Sequence, residues 1–448
     1  MTRIDRRLAF RLLVRKVRLY VSGLATMMVL GCLALAVLAA ASMPAGAGTK
    51  KFSALYSFCS QQNCPDGAEP DTDLVADSSG NLYGAAYSGG SMNCEFGCGV
   101  IFKLTPGGRE TTLYSFCARD PSCPDGYLPE SPLILDRSGN LYGTTSAGGA
   151  NDGGTVFRLT PDGKETVLYS FCRRSGCADG AGPGGGIVMD RKGNLYGATV
   201  VGGTPGGNGT VFKLSPDGKE KVLYNFCSQD ACRDGSYPLG SVIMDRDGNL
   251  YGTTYQGGAN SGNGTVYKVS PTGTETVLYS FCARAGCSDG AVPQGGVVLD
   301  KDGNLYGTTA SGGNLNPNCP SFNGNEGGCG VVFEVHPDSS ETVLYTFCAQ
   351  PDCTDGAFPL AGLTRRSGKS GDTYYGTTEV GGAKNAGVVF SLSGSAEKVL
   401  HSFCSRADCA DGEEPQSGLI LQNGSLLGAV FQGGKYDGGV IYRLDPTR

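Results

Sequence analysis

The sequence predicts an all-β chain folded as a seven-bladed β-propeller, with four antiparallel strands in each blade. Three observations predict it. A unit of 55 to 66 residues occurs seven times. Each unit holds four short runs rich in β-branched and aromatic residues, separated by turn chemistry. The units are phased so that the ring can close on itself.

The string Leu-Tyr-Ser-Phe-Cys, or a close variant, begins at Leu55, Leu113, Leu168, Leu223, Leu278, Leu344 and Leu400. Each copy continues with Cys-x-Asp-Gly-x-x-Pro and an apolar stretch such as Leu133-Ile134-Leu135-Asp136. Then come "GNLYGTT", a Gly-Gly pair, "GTVFKL" and "TPDG". No segment has a helical period long enough to compete, so strands and turns are expected throughout. The turns agree with four strands: Asp136 to Asn140 suits a tight hairpin with a left-handed glycine, and Pro161-Asp162-Gly163 places proline where φ must lie near -65°. A single four-stranded unit cannot bury both of its faces, so it needs neighbours around a ring.

The phase predicts how that ring closes. With the stretch after proline as the inner strand, "NLYGTT" is second, "GTVFKL" third and "ETVLYSF" outermost. The repeats begin on an outermost strand, Phe52 to Phe58, and end on a third strand, Gly439 to Leu444. The first strand is therefore expected to complete the last blade, leaving no open edge between the two.

Composition narrows the class further. There are 73 Gly, 21 Tyr, 18 Phe and no Trp, and only 17% of residues are charged, which suits short strands and many tight turns. Residues 1–20 hold seven Lys or Arg against one acid. Setting that +6 aside from the overall -6 leaves the remainder at -12. An acidic body without a basic stripe has no electrostatic footprint for a phosphate backbone, so nucleic acid is not an expected partner.

Residues 1–47 have the order of an export segment. A basic stretch precedes the uncharged apolar run from Val21 to Ser42, and Ala45-Gly46-Ala47 follows as a small-residue cleavage sequence. The run is also long enough to span a bilayer, so a cleaved signal peptide and an uncleaved anchor are both compatible with it. Either places the propeller, residues 48–448, outside the cytoplasm. Secreted, periplasmic or cell-surface localisation is expected, with membrane contact only through the N-terminal segment and a monomeric body.

Setting Cys32 aside, the cysteines form local pairs. Seven belong to the repeat: Cys59/Cys64, Cys117/Cys123, Cys172/Cys177, Cys227/Cys232, Cys282/Cys287, Cys348/Cys353 and Cys404/Cys409. Two lie in the insertions that lengthen the first and fifth copies, Cys94/Cys98 and Cys319/Cys329. In an exported chain such pairs read as disulfides. Zinc is the alternative, but the spacing is not Cys-x2-Cys, and each pair offers two thiolates unless neighbouring blades cooperate.

In this topology the outer-to-inner loops and the second-to-third loops open on one face, which carries the cysteines, the Gly-Gly pairs and both insertions. Loops on a rigid scaffold are where binding is expected. The recurring Asp66, Asp125, Asp179, Asp234, Asp289, Asp355 and Asp411 are expected to be fold residues whose carboxylates cap backbone amides. Departures from the repeat are better functional candidates. Glu69, Asp71, Asp73, Glu130, Glu413 and Glu414 fall in the last, first and second blades, where other copies have mostly uncharged residues. They predict an acidic sector at the channel mouth, able to hold a hard cation such as Ca²⁺ or a cationic group of a ligand. His336 and His401 occupy positions usually held by Thr or Ser and by Tyr, and no Ser/His/Asp constellation is recognisable.

The combination "ETVLYSF…DG…P…L..D..GNLYGTT..GG…GTVFKL.PDG" over about 400 residues resembles the bacterial GloVer tandem-repeat family of surface proteins with varied anchoring signals. The resemblance implies an exported repeat protein and carries no catalytic residues to transfer. This chain departs from the family pattern in its cysteine pairs in every copy and in having no anchor sequence evident after Leu444. The expected function is non-catalytic recognition or scaffolding, with a glycan, a peptide or another surface protein as partner. The alternative is a propeller enzyme of the lactonase, lyase or glycosidase kind with a cation at the channel mouth.

Overall fold

The computed structural model describes residues 51–446 except 205, 261, 314–318, 320–326 and 370. The expected export segment lies outside the described residues. Among those described, no helix is long and apolar enough to cross a membrane.

Seven antiparallel sheets form the blades of the propeller. The second blade shows the plan. Its inner strand is Ile134–Leu135, its second Leu141–Thr145, its third Thr155–Leu159 and its outer Glu165–Ser170. Each inner strand is only two or three residues long, as Val188–Met189 and Thr364–Arg366 illustrate. A register shift between Val156 and Phe157 bends the outer strand away from the third, and the same irregularity recurs from blade to blade.

The ring closes as the repeat phase predicts. Lys51–Ser57 pairs antiparallel with Val440–Asp445, Phe52 lying opposite Leu444 and Ser57 opposite Val440. The last blade thus takes three strands from the C-terminal end and its outer strand from the N-terminal end.

The structure corrects the expectation of strands and turns alone at five cysteine loops. Cys177, Cys232, Cys287, Cys353 and Cys409 each end a single turn of 3₁₀ helix, over Ser175–Cys177, Asp230–Cys232, Ala285–Cys287, Pro351–Cys353 and Ala407–Cys409. The reason is the shortness of the disulfide loop. To bring Cys177 back to Cys172 within six residues the chain must reverse sharply, and it does so by an N–H bond from Cys177 to the Arg174 carbonyl, three residues earlier, at 2.9 Å. Cys232 bonds Gln229 and Cys287 bonds Arg284 in the same way, each at 3.0 Å. A three-residue turn has no hydrophobic period to read, so sequence pattern could not mark it.

The core runs along the seams. Seven apolar clusters each join one blade to the next, and one joins Phe58, Phe102 and Leu82 to Leu427 and Ile441, across the seam between the last blade and the first. Each seam has the same aromatic pair. The phenylalanine ending an outer strand meets the edge of the third-strand aromatic of the following blade, as in Phe58–Phe102, Phe226–Tyr267 and Phe403–Tyr442, with centroids 4.9 to 5.3 Å apart. Such pairs contribute about 0.5–1.5 kcal/mol beyond the area they bury.

The inner hairpin explains the Asp-x-x-Gly-Asn-Leu-Tyr motif. Asp136 Oδ1 accepts from the backbone N–H of Ser138 and Asn140, while Oδ2 accepts from the Asn140 side-chain amide and the Tyr142 hydroxyl. Asp77, Asp190, Asp245 and Asp300 repeat the arrangement. The sixth blade replaces it with an ion pair, Arg365 Nε lying 2.6 Å from Asp372 Oδ2.

Candidate functional site

The decorated face is built from two loops per blade that pair with each other. The stretch after Asp-Gly runs antiparallel to the end of the second strand, bridging Ala68 to Ser88, Tyr127 to Ala147 and Glu413 to Gln432. The carbonyl of the second repeat cysteine accepts two N–H groups. For Cys64 these are Gly67, at 2.9 Å, and Gly90 of the Gly-Gly turn, also at 2.9 Å. That turn admits no side chain: a Cβ on Gly89, itself at φ +75, would lie 2.5 Å from the Cys64 carbonyl oxygen.

All nine expected disulfides are present among the described residues. The three central repeat pairs, Cys172–Cys177, Cys227–Cys232 and Cys282–Cys287, stand by themselves, with Cα atoms 3.9 to 4.0 Å apart. Cys177 and Cys232 are half-buried, whereas Cys287 is buried against Ala291 and Val292. Both cysteines of every repeat pair have left-handed backbone, from φ +46 at Cys64 to +61 at Cys59 and Cys282. Left-handed backbone costs a non-glycine residue roughly 1–2 kcal/mol. The covalent link therefore holds a loop shape that its residues disfavour individually.

The recurring aspartates are structural, as expected. Tyr169 donates its hydroxyl to Asp179 Oδ2 at 2.7 Å, and the same carboxylate accepts the backbone N–H of Arg173 and Arg174. Burial, then the Asp179 bond, push the Tyr169 hydroxyl above its ordinary range. His401 takes the tyrosine's place in the seventh copy, its Nε2 lying 3.0 Å from Asp411 Oδ2. His336 lies in a strand-connecting turn, its ring nitrogens 3.2 Å from Asn304 Oδ1 and Thr342 Oγ1. Both histidines thus have bonding partners within the repeat framework.

The residue before each repeat proline forms a second ring of left-handed positions. Glu69, Leu128, Gly182, Tyr237, Val292, Phe358 and Glu414 have φ from +53 to +60. Each donates its N–H to a loop carbonyl of the preceding blade, Glu69 to Gly438 and Glu414 to Ala386, for example. Glu69, Leu128, Tyr237 and Glu414 are half-buried, whereas Val292 and Phe358 are buried.

The six acidic candidates are all half-buried. Burial, then Glu414 and Asp437, raise the Glu413 carboxyl above its ordinary range, so these three acids share one neighbourhood. Asp73 has a more specific contact. Its Oδ1 accepts the Gly418 N–H at 2.6 Å across the closure seam, while burial pushes its carboxyl upward. Asp73 thus ties the first inner strand to the last. Asp71 and Glu130 follow the repeat prolines of the first and second blades.

Sequence reasoning missed Glu379 and Asp437. Glu379 is buried and accepts from the Gln416 amide at 3.2 Å. It is the one acid in its column of the repeat, where the other copies have Tyr, Ser, Val, Ala or Phe, so comparing columns would have found it. Also missed was the space among the inner strands of the fourth, fifth and sixth blades. There an open recess of about 510 Å³ is lined by Ile243, Val298, Leu299, Leu363, Thr364, Arg365 and Ser367. Arg365 anchors it through Asp372 and the Leu299 carbonyl.

A family model described as the Gloeobacter/Verrucomicrobia repeat matches residues 43–187, 175–369 and 319–448. No curated relative matches the sequence. Among solved structures, a gluconolactonase from Xanthomonas campestris is 11% identical with a TM-score of 0.40, over 78% of this chain and 89% of its own. The extracellular domain of a protein named for a putative hybrid two component system in B. thetaiotaomicron is 11% identical with a TM-score of 0.49, over 89% of this chain and 41% of its own.

Proposed function

The chain belongs to the Gloeobacter/Verrucomicrobia repeat family, and from that premise we infer an exported, non-catalytic propeller that recognises a ligand through its decorated face. The observation that carries this reading is a single left-handed backbone site that recurs seven times and in four copies leaves a side chain half-exposed among the loops. A position held near φ +57 favours glycine, as at Gly182, when only the fold is at stake. Six copies instead carry Glu, Leu, Tyr, Val or Phe and accept the strain; Val292 and Phe358 are buried in the packing, whereas Glu69, Leu128, Tyr237 and Glu414 stay half-exposed and vary in chemistry, as a surface selected for what it displays would. Two of these side chains, Glu69 and Glu414, stand in neighbouring blades with Glu413 and Asp437 nearby, giving the face an acidic sector suited to a cationic group or a hard cation. The nine disulfides suit an oxidising compartment and keep the display rigid.

A glycan and peptide array probed with the purified chain tests this reading. Binding is expected, and the double variant Glu69→Ala/Glu414→Ala should weaken it by about tenfold or more, equivalent to about 1.4 kcal/mol. Binding indifferent to that variant would overturn the assignment of the face. Lactone or glycoside turnover that depends on the same residues would replace recognition with catalysis. For the cation, a melting temperature unmoved by millimolar calcium would remove Ca²⁺ from the proposal.

A further inference from the structure

The repeat disulfide occurs in every copy, so the extra cysteine pairs of the first and fifth blades stand apart from the fold's requirements. Both extra pairs land on a repeat pair. Cys94 and Cys98, in the second-to-third loop of the first blade, meet Cys117 and Cys123, which follow that blade's outer strand. Cys319 and Cys329 meet Cys348 and Cys353 in the same relation in the fifth blade. In each group the four sulfurs lie within 4.8 Å of one another, and Cys94 Sγ is 3.9 Å from Cys117 Sγ.

Local pairing does not explain this meeting. Five copies close their repeat disulfide with no second pair beside it, and the two extra pairs have different sequence separations, 4 and 10. Two unlike insertions nevertheless bring their sulfurs to the same place. The sites are largely shielded: Cys94 is half-buried, Cys98 and Cys117 are fully buried, Cys123 is 5% exposed, and the four cysteines of the other group are at most 7% exposed.

The dimensions suit a tetrahedral ion. With metal–sulfur bonds of about 2.3 Å, the sulfurs of a tetrathiolate zinc centre stand roughly 3.8 Å apart. One contact between the two pairs, Cys94 Sγ to Cys117 Sγ, already has that length, and no distance between the sulfurs of either cluster exceeds 4.8 Å. Opening the S–S bonds would free the paired sulfurs to move apart toward the same spacing.

We propose that each four-cysteine cluster is a two-state site: two disulfides when oxidised, and a tetrathiolate site for a thiophilic d¹⁰ cation such as Zn²⁺ when reduced. Conversion consumes four electrons per cluster from an external thiol or phosphine reductant, and four protons from that thiol or, in the phosphine route, from water. Two S–S bonds break, four thiols form, and the reductant leaves as its disulfide or, with water supplying oxygen, as a phosphine oxide. Binding of the cation then displaces the four thiol protons and forms four metal–sulfur bonds. The isolated repeat pairs, such as Cys172–Cys177, Cys227–Cys232 and Cys282–Cys287, offer two thiolates each and form no such site.

The purified full chain tests this directly. It is reduced anaerobically with a phosphine, loaded with Zn²⁺ or with Co²⁺ as the spectroscopic probe, desalted and assayed for metal per chain. Two equivalents and a cobalt–thiolate charge-transfer band are expected after reduction, and none in the oxidised chain. Cys94→Ser/Cys98→Ser and Cys319→Ser/Cys329→Ser should each lower the count to one, and their combination to zero. Equal metal in the wild type and the combined variant would overturn the proposal, as would no retained metal in the reduced wild type. Far-UV circular dichroism covers the case in which reduction alone unfolds the chain. Zinc must then restore the β signal in the wild type and fail to do so in the combined variant, and failure in both sinks the idea.

Discussion

The wedge between the third and fourth blades and the wedge between the sixth and seventh share one backbone plan but have opposite electrostatics. In the first, Tyr224 donates to Asp234 at 2.7 Å, and the next outer strand brings Glu275 to the same place. Burial, then the Asp234 charge, push Glu275 up to about 8, so near neutral pH it is mostly an uncharged acid. Glu110, Glu165, Glu220 and Glu341 occupy the equivalent site in four other wedges and are pushed up to about 7, chiefly by burial. In the sixth–seventh wedge the outer strand comes from the N-terminal end of the propeller and puts Phe52 where the glutamate would stand. Phe52 stacks on His401 at 4.1 Å, and the Arg406 guanidinium lies 5.4 Å from its ring centroid. Asp411 is then the wedge's only carboxylate of the usual pair. Against the upward push of burial, His401, the Ser405 hydroxyl and the Arg406 and Ser405 N–H groups hold it at about 2. The closing wedge thus replaces a second buried acid with an aromatic stack.

The shared architecture gives the largest expected effect. Phe226→Ala and Phe403→Ala each remove a fully buried ring from its seam and should each cost about 3–5 kcal/mol in urea denaturation. A markedly smaller loss for Phe403→Ala would mean that the closing seam is looser than the regular one. Asp411→Asn should come next, costing roughly 2 kcal/mol at neutral pH because the part-buried N–H groups of Ser405 and Arg406 and the His401 ring lose a charged acceptor. The sign follows from a folded value of about 2, below the unfolded value. The contribution is present above the unfolded value near 4 and is lost as pH falls through 2, so a difference that persisted in strong acid would contradict this account.

Disulfide removal ranks third. Cys227→Ser/Cys232→Ser and Cys404→Ser/Cys409→Ser each open a six-residue loop and should cost about 2 kcal/mol. Replacement by glycine should cost less, since glycine accepts the left-handed backbone that serine resists. The smallest effect concerns Glu275, whose folded value is raised. Its stabilising neutral form is fully present below about 4.5 and is lost as pH rises through 8, so Glu275→Gln should flatten the alkaline fall of the melting temperature, on the order of 1 kcal/mol at pH 8.5. The double change Phe52→Glu/His401→Tyr should install the same alkaline sensitivity in the closing wedge. An unchanged pH profile in that variant would break the comparison.

The blades, the closing strand pair and the nine cysteine pairs were legible in the sequence because each follows from a local spacing or from the phase of a repeat. Alternating burial, a turn residue or a cysteine four to ten positions away acts within a single loop or hairpin. The capping role of the recurring aspartates was legible for the same reason, since Asp179 bonds N–H groups only five and six residues away. The 3₁₀ turns ending at Cys177, Cys232 and Cys287 were not legible, because three residues are too few to show a period. The six acidic candidates were legible only as a set of unusual columns. The fold changed that set: Asp73 serves as a tie across the seam, Asp437 stands beside Glu413, and Glu379 is buried against Gln416.

The tertiary structure alone decided what adjacent blades bring to one another. Glu275 looks like any strand-edge glutamate until Asp234, 41 positions earlier, is packed beside it in a partly buried wedge. Phe52 and His401 stand nearly 350 residues apart along the chain, yet they stack. The sulfurs of Cys94 and Cys117 likewise meet only because the two loops fold over the same blade edge. Contacts of this kind depend on the ring's geometry, and desolvation there is set by whichever side chain the neighbouring blade presents, which no local pattern encodes.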